Sequence, residues 1–169
     1  MINFKQVKIE ETPVLAKLAS NIWHEYWTEI LTPEQIDYMV ENFQSEKAIT
    51  NQCKNEKYTY YFIQDNNKNI GYFGISEKEN YLFLSKLYIS KEYRHKGIGS
   101  KSFEKIKQIA IEKSYKSIQL TVNKYNTNTI SAYKKWGFEI IDSVVTDIGE
   151  GFVMDDYIME WLKPVTPVV

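Results

Sequence analysis

Apolar and polar positions change period several times along this chain, and the changes mark its elements. Ile2 to Ile9 alternates and predicts a first strand. Thr12-Pro13 then reads as a helix start, with Thr12 as N-cap and Pro13 in the first turn. Leu15, Leu18, Ala19, Ile22, Trp23 and Tyr26 follow at helical spacing. Thr32-Pro33 repeats the start signal ahead of Ile36, Met39, Val40 and Phe43, and a third short helix is expected from about Ser45 to Cys53. Tyr58 to Gln64 and Ile70 to Ser76 are rich in aromatic and β-branched residues, with a polar turn between them, and Tyr81 to Ile89 is a third such run. A glycine-bearing turn, Arg94 to Gly99, leads into a helix expected over Ile98 to Lys113. A strand over Ser117 to Asn123, a short helix over Thr129 to Trp136, and strands over Phe138 to Thr146 and Phe152 to Trp161 complete the pattern.

Hairpins mixed with helical crossovers imply an α/β fold: one mixed sheet with helices on both faces. No repeat or linker divides the 169 residues, so residues 1–163 are expected to form one domain, with 164–169 a loose tail. Apolar residues at 43%, charged residues at 25% and a net charge of −1 give no general attraction for nucleic acid or an anionic membrane. The amino terminus lacks a signal-peptide core, no run is long and apolar enough to span a bilayer, and Cys53 has no partner for a disulfide. A cytoplasmic protein is the expectation. Two histidines and one cysteine, in no ligand spacing, predict no metal site.

The most informative segment is Arg94-His95-Lys96-Gly97-Ile98-Gly99-Ser100, after a strand and at the start of a helix. Glycines let backbone approach a ligand closely, and the helix start offers unpaired N–H groups and a favourable dipole. With Arg94, Lys96 and Lys101 nearby, these parts suit a phosphate or pyrophosphate. A tight strand-to-helix turn would explain the glycine pair equally well. The spacing fits neither the dinucleotide fingerprint nor the Walker A loop.

Leu87-Tyr88-Ile89 followed by Arg94 to Gly99 resembles the R/Q-x-x-G-x-G/A signature of the GCN5-related N-acetyltransferases (GNAT). A second block, Val122, Asn126 and Tyr133-Lys134-Lys135-Trp136-Gly137-Phe138, is similar to that family's N-x-x-A-x-x-x-Y-x-x-x-G-F pattern, with Thr129 in place of the alanine. The ending Gly149 to Tyr157 looks like the branch that includes bacterial polyamine acetyltransferases of the PaiA type.

The resemblance implies a GNAT fold, mostly antiparallel, in which the strand carrying Leu87, Tyr88 and Ile89 splays from the Ser117 to Asn123 strand. It further implies that acetyl-coenzyme A lies in that gap, its pantetheine arm on Leu87 and Ile89 and its pyrophosphate on Arg94, His95, Lys96, Gly97, Ile98, Gly99 and Ser100. Asn126 would contact the cofactor arm, or serve only as a helix cap. Tyr133 would protonate the departing thiolate, or serve only as a packed aromatic. The base is open: the position where some relatives carry a glutamate is Phe83, Ser85 and Lys86 are no better, and His24, Glu25, Tyr26, Glu29 and Glu150 stay unranked.

Charge bears on the acceptor. His24 to Lys47 holds six acidic residues against one lysine, and Asp142 to Glu160 six with no basic residue; Lys86 to Lys116 holds nine basic and three acidic. In the family fold the first two regions border the acceptor, so a small cationic amine such as a polyamine is expected. Acetylation of a protein or peptide amine, and a non-catalytic acetyl-CoA sensor, stay open, as does a homodimer.

Overall fold

The computed structural model describes residues 1–167; Val168 and Val169, the end of the expected tail, lie outside them. Seven strands form one sheet in the order β1-β2-β3-β4-β5-β7-β6. They are β1 (Ile2–Gln6), β2 (Tyr58–Asp65), β3 (Lys68–Glu77), β4 (Leu82–Ile89), β5 (Ser117–Asn123), β6 (Glu139–Gly149) and β7 (Phe152–Leu162). Every neighbouring pair is antiparallel except β4 and β5. The helices are α1 (Thr12–Tyr26), α2 (Pro33–Phe43), α3 (Glu46–Asn55), α4 (Ile98–Glu112) and α5 (Thr127–Lys135).

Local chemistry sets the boundaries. Thr32 accepts the Gln35 N–H and Ser45 accepts the Ala48 N–H, each satisfying one orphan donor at a helix start. The first strand is shorter than its alternation suggests. It ends at Gln6, and Ile9–Glu11 turns as a 3-10 helix, its Glu11 carboxylate accepting the Lys8 N–H. Thr12 is accordingly the first residue of α1 rather than its cap.

The two faces of the sheet bury different clusters. On one, Phe103, Ile106 and Ala110 of α4 and Ile130 and Tyr133 of α5 pack on Phe73, Leu84, Leu120 and Met159. On the other, Leu15, Ala19 and Ile22 of α1 with Ile49 of α3 pack on Tyr60, Phe62 and Tyr72. Cys53 packs at the margin of this second cluster, where burial pushes its thiol pKa up.

One irregularity positions everything that follows. Along β4 the partner of Gly74 is Lys86 while that of Ile75 is Leu84, so Ser85 is an extra residue, a β-bulge. Leu82 and Leu84 face α4 before the bulge, and Leu87 and Ile89 do so after it. The bulge thereby turns Tyr88 toward α1, onto the opposite face.

Candidate active site

The parallel pair β4 and β5 is joined only at Leu82–Ile118 and Phe83–Gln119. Beyond those residues the strands part, and the facing edges of Leu84–Ile89 and Leu120–Asn123 bond to no strand. Backbone groups at such an edge need partners. The parting opens a cavity of about 290 Å³ between the sheet and the α1–α2 layer.

At one end of the gap lies the turn before α4. Gly97 is its N-cap at φ +75°, and His95 is also left-handed at φ +61°. A left-handed residue followed by a right-handed helical one, as at Gly97 and Ile98, sets successive N–H groups into a concave nest. The first helical bond runs from the Lys101 N–H to the Gly97 carbonyl (3.2 Å), leaving the N–H groups of Ile98, Gly99 and Ser100 at the open helix end. His95, Lys96, Gly97 and Ser100 are exposed, whereas the Ile98 side chain is pinned in the core.

Two expectations about this turn change. The Arg94 side chain does not join the array: its Nε donates to the Ile89 carbonyl (2.8 Å), its guanidinium lies over the Tyr26 ring (4.9 Å), and it approaches Glu25 (3.8 Å). Arg94 braces the turn against α1. At Gly99, a Cβ would meet the Trp136 ring at 3.2 Å, and Trp136 stacks on Phe103. Close packing of α4 on the end of α5 explains this glycine, while the space beside Gly97 is open.

The second block lines the cavity. Asn126 Nδ2 donates to the Tyr26 hydroxyl (2.6 Å), which also pairs with Thr129 Oγ1 (2.6 Å). Asn126 is the residue preceding α5, yet its side chain makes no cap bond there. Thr129 thus ties α5 to α1, a use that alanine could not serve. Tyr133 is buried against Trp136 and Phe138, with its ring edge-on to both. Its hydroxyl has no hydrogen-bond partner among the described residues. Desolvation, and to a lesser extent Tyr26, push its pKa up, so it stays a proton donor at any physiological pH.

The cavity wall opposite is aromatic: Tyr88 meets Trp23, Tyr26 and Trp27 at centroid distances of 5.3, 5.5 and 6.4 Å. The α2 layer adds Met39 and Phe43, and β7 adds Met154. Two further ionisable side chains line it: Lys86, dismissed from the sequence as a base, and Asp156, expected there only as part of the acidic field facing a cationic acceptor. Lys86, turned inward just past the bulge, donates to Ser85 Oγ (2.6 Å), and burial lowers its pKa to about 8. Asp156 on β7 is 7% exposed, and its pKa is raised to about 6 by desolvation first and by Asp155 second.

Of the base candidates, only Tyr26 lines the cavity. His24 is on the surface, held by Asp37 (2.6 Å) and the Ser20 carbonyl (2.7 Å); the Asp37 bond chiefly raises its pKa. Glu25 accepts the Lys91 N–H outside the cavity (3.3 Å), Glu29 is exposed, and Glu150 sits at the β6–β7 turn. Among the described residues no cluster of three or more metal-ligating side chains occurs, and no helix is long and apolar enough to cross a membrane.

Residues 19–138 match the family model described as "Acetyltransferase (GNAT) family". The chain is similar, at 25% identity over 158 residues (91% of this chain, 96% of the other), to a spermidine N(1)-acetyltransferase of Thermoplasma acidophilum. It is 34% identical over 67 residues to a thialysine N-epsilon-acetyltransferase of Bos taurus, a match spanning 39% of each protein. Among solved structures, a PaiA N-acetyltransferase from Thermoplasma acidophilum, in complex with coenzyme A, superposes with a TM-score of 0.81 at 24% identity, covering 96% of this chain and 99% of that one. The ribosomal-protein-S18-alanine N-acetyltransferase of Escherichia coli superposes with a TM-score of 0.72 at 16% identity, covering 99% and 97%.

Proposed function

This chain belongs to the acetyltransferase (GNAT) family, and from that premise we propose that it moves the acetyl group of acetyl-coenzyme A directly to the primary amine of a small cationic acceptor such as a polyamine. The observation that carries the reading is the parted β4–β5 pair, with an N–H nest at one end and the Tyr133 hydroxyl in the wall. The free edge of Leu87–Ile89 suits the amides of the pantetheine arm, which would extend the sheet as a strand does. The nest and the start of α4 suit the pyrophosphate. The thioester then lies between the strands, with its sulfur within reach of Tyr133.

Amine attack builds a tetrahedral centre, and its collapse expels a thiolate. A phenol that burial keeps protonated is suited to supply the proton. The aromatic wall supports a cationic acceptor, since ammonium groups are drawn to ring faces. The spermidine acetyltransferase similar over 91% of this chain supports the same class.

The test is acetyl-CoA-dependent thiol release across polyamines, thialysine and lysine, aminoglycosides and peptide amino termini. Spermidine-type amines should give the highest kcat/KM. Turnover of peptides alone would favour the protein-acetylating alternative, and binding of acetyl-CoA without any release would favour a sensor.

A further inference from the structure

We infer that Asp156 is the group that takes the proton from the acceptor ammonium, so that β7, rather than β4, supplies the base of this site. The inference rests on the acetyltransfer reading above. Three observations carry it. First, Asp156 lines the cavity and is only 7% exposed, yet its Oδ1 has no hydrogen-bond partner among the described residues. A carboxylate oxygen is costly to bury unpaired, and a cationic ligand in the cavity would satisfy it. Second, Asp156 pairs in register with Asn123, the last residue of β5, on the strand that borders the gap. Its backbone is therefore one strand spacing, about 4.8 Å, from the edge where the thioester would lie. Third, the β4 positions near the bulge offer no carboxylate, since Phe83, Leu84, Ser85 and Lys86 occupy them.

The charged and titratable groups around Asp156 are few. Asp155 is its chain neighbour and pairs with Lys124, which projects from the end of β5 (2.8 Å). Tyr88 faces it from β4, while Tyr26 of α1, Tyr133 of α5 and Lys86 of β4 complete the ionisable wall of the cavity. Its register partners are Val144 on β6 and Asn123 on β5, both neutral. Burial and Asp155 outweigh Lys124 and raise its pKa to about 6. Such a group is ionised at neutral pH and is a stronger base than an ordinary carboxylate.

The proton count closes. The ammonium gives one proton to Asp156, and the free amine forms the C–N bond as the thioester carbonyl becomes an oxyanion. On collapse the C–S bond breaks and the sulfur takes the Tyr133 phenolic proton. The remaining excess proton on nitrogen returns to the Tyr133 phenolate, and Asp156 releases its proton to solvent. The products are the acetamide, the thiol and one proton.

The experiment is the pH profile of kcat at saturating spermidine in the wild type, Asp156→Asn and Asp156→Glu, with acetyl-CoA affinity by calorimetry. A protonated acceptor working with an ionised Asp156 predicts a wild-type plateau from about pH 7 to pH 9. Asp156→Asn should lose about 10²–10⁴-fold at pH 7 and rise with pH in proportion to free amine, roughly tenfold per unit, without a plateau. Its acetyl-CoA affinity should stay within about twofold, because Asp156 lies on the acceptor side, and Asp156→Glu should restore part of the rate and the plateau. A folded Asp156→Asn enzyme that kept the wild-type plateau, or that changed only KM, would overturn the inference. Failure of the wild type itself to release thiol with any amine would overturn both this inference and the acetyltransfer reading on which it rests.

Discussion

Tyr133 is held by ring contacts to Trp136 and Phe138 rather than by its hydroxyl, so removing that oxygen should leave the packing intact. Tyr133→Phe is expected to lower kcat and kcat/KM by about 10²–10⁴-fold, the usual worth of a positioned general acid. Calorimetry should find acetyl-CoA binding little changed; near-wild-type kcat, with chemistry shown to be rate-limiting, would remove Tyr133 from the mechanism. Asp156 makes a separate prediction about stability. Its pKa is 3.8 when ordinary and about 6 in the fold, so between those values the native state holds more protons than the unfolded chain. The stability tied to its neutral form is fully present below pH 3.8 and is lost as pH rises through 6. Asp156→Asn removes the buried charge and should stabilise the unliganded protein at pH 7.5 by about 1–2 kcal/mol, after discounting for screening through the cavity. In urea melts that gain should shrink as pH falls toward 4. A variant less stable than the wild type at pH 7.5 would mean that Asp156 has a buried cationic partner in solution. Lost rate with gained stability is the pattern expected of a functional residue.

The elements of the site meet through few contacts, and each can be tested alone. Thr129→Ala restores the family's residue and deletes one hydrogen bond to Tyr26, at a cost of about 0.5–1.5 kcal/mol in thermal or urea unfolding. Acetyl-CoA affinity should hardly move, since Asn126 still reaches Tyr26. Gly97→Val puts a β-branched residue at φ +75°, a strain of about 1–2 kcal/mol that the turn can relieve only by abandoning the nest. It should weaken acetyl-CoA binding by tenfold or more in a folded protein; unchanged affinity would place the pyrophosphate elsewhere. Gly99→Val would be less informative, because it would also displace Trp136. This difference marks where sequence reading stops. Alternation, helical spacing and the two Thr-Pro start signals locate the seven strands and five helices of the described residues, because each signal is local. The glycine turn is legible for the same reason. The cavity is not, since its walls come from α1, α2, α5 and four strands spread over more than 130 residues. The bulge at Ser85, which turns Lys86 and Tyr88 inward, leaves no mark in the order of side chains. Nor can Asp156 be told apart from the other five acidic residues of its segment until α2 closes over it. Gln35 Nε2 donating to the Val153 carbonyl (3.1 Å) and Tyr38 donating to the Ile148 carbonyl fasten that cover.

Across the whole molecule, acidic residues gather from Glu25 at the end of α1 through α2 and on the β6–β7 hairpin, and basic ones from β4 through α4. An anionic nucleotide and a cationic amine would therefore approach through separate fields, and raising ionic strength should increase KM for both. Lys86 breaks this pattern, because it brings a cation into the cavity where the amine would bind, with no carboxylate bonded to it. At an effective dielectric near 20, two like charges ~10 Å apart repel by about 1–2 kcal/mol. With a pKa of about 8, Lys86 is mostly charged at pH 7 and mostly neutral at pH 9. If the acceptor is a dication, Lys86→Met should lower its KM about tenfold at pH 7, and the advantage should fade as pH rises through 8, where the wild type loses the same charge. Steady-state kinetics with spermidine and with lysine at pH 7 and pH 9 decide the matter. A KM for lysine that rises in Lys86→Met at pH 7, with that for spermidine unchanged, would mean that the ammonium binds the lysine carboxylate. Lys86 would then be holding an anionic group, and the acceptor would be an amine that also carries a carboxylate, turning the choice of substrate from polyamines to amino acids.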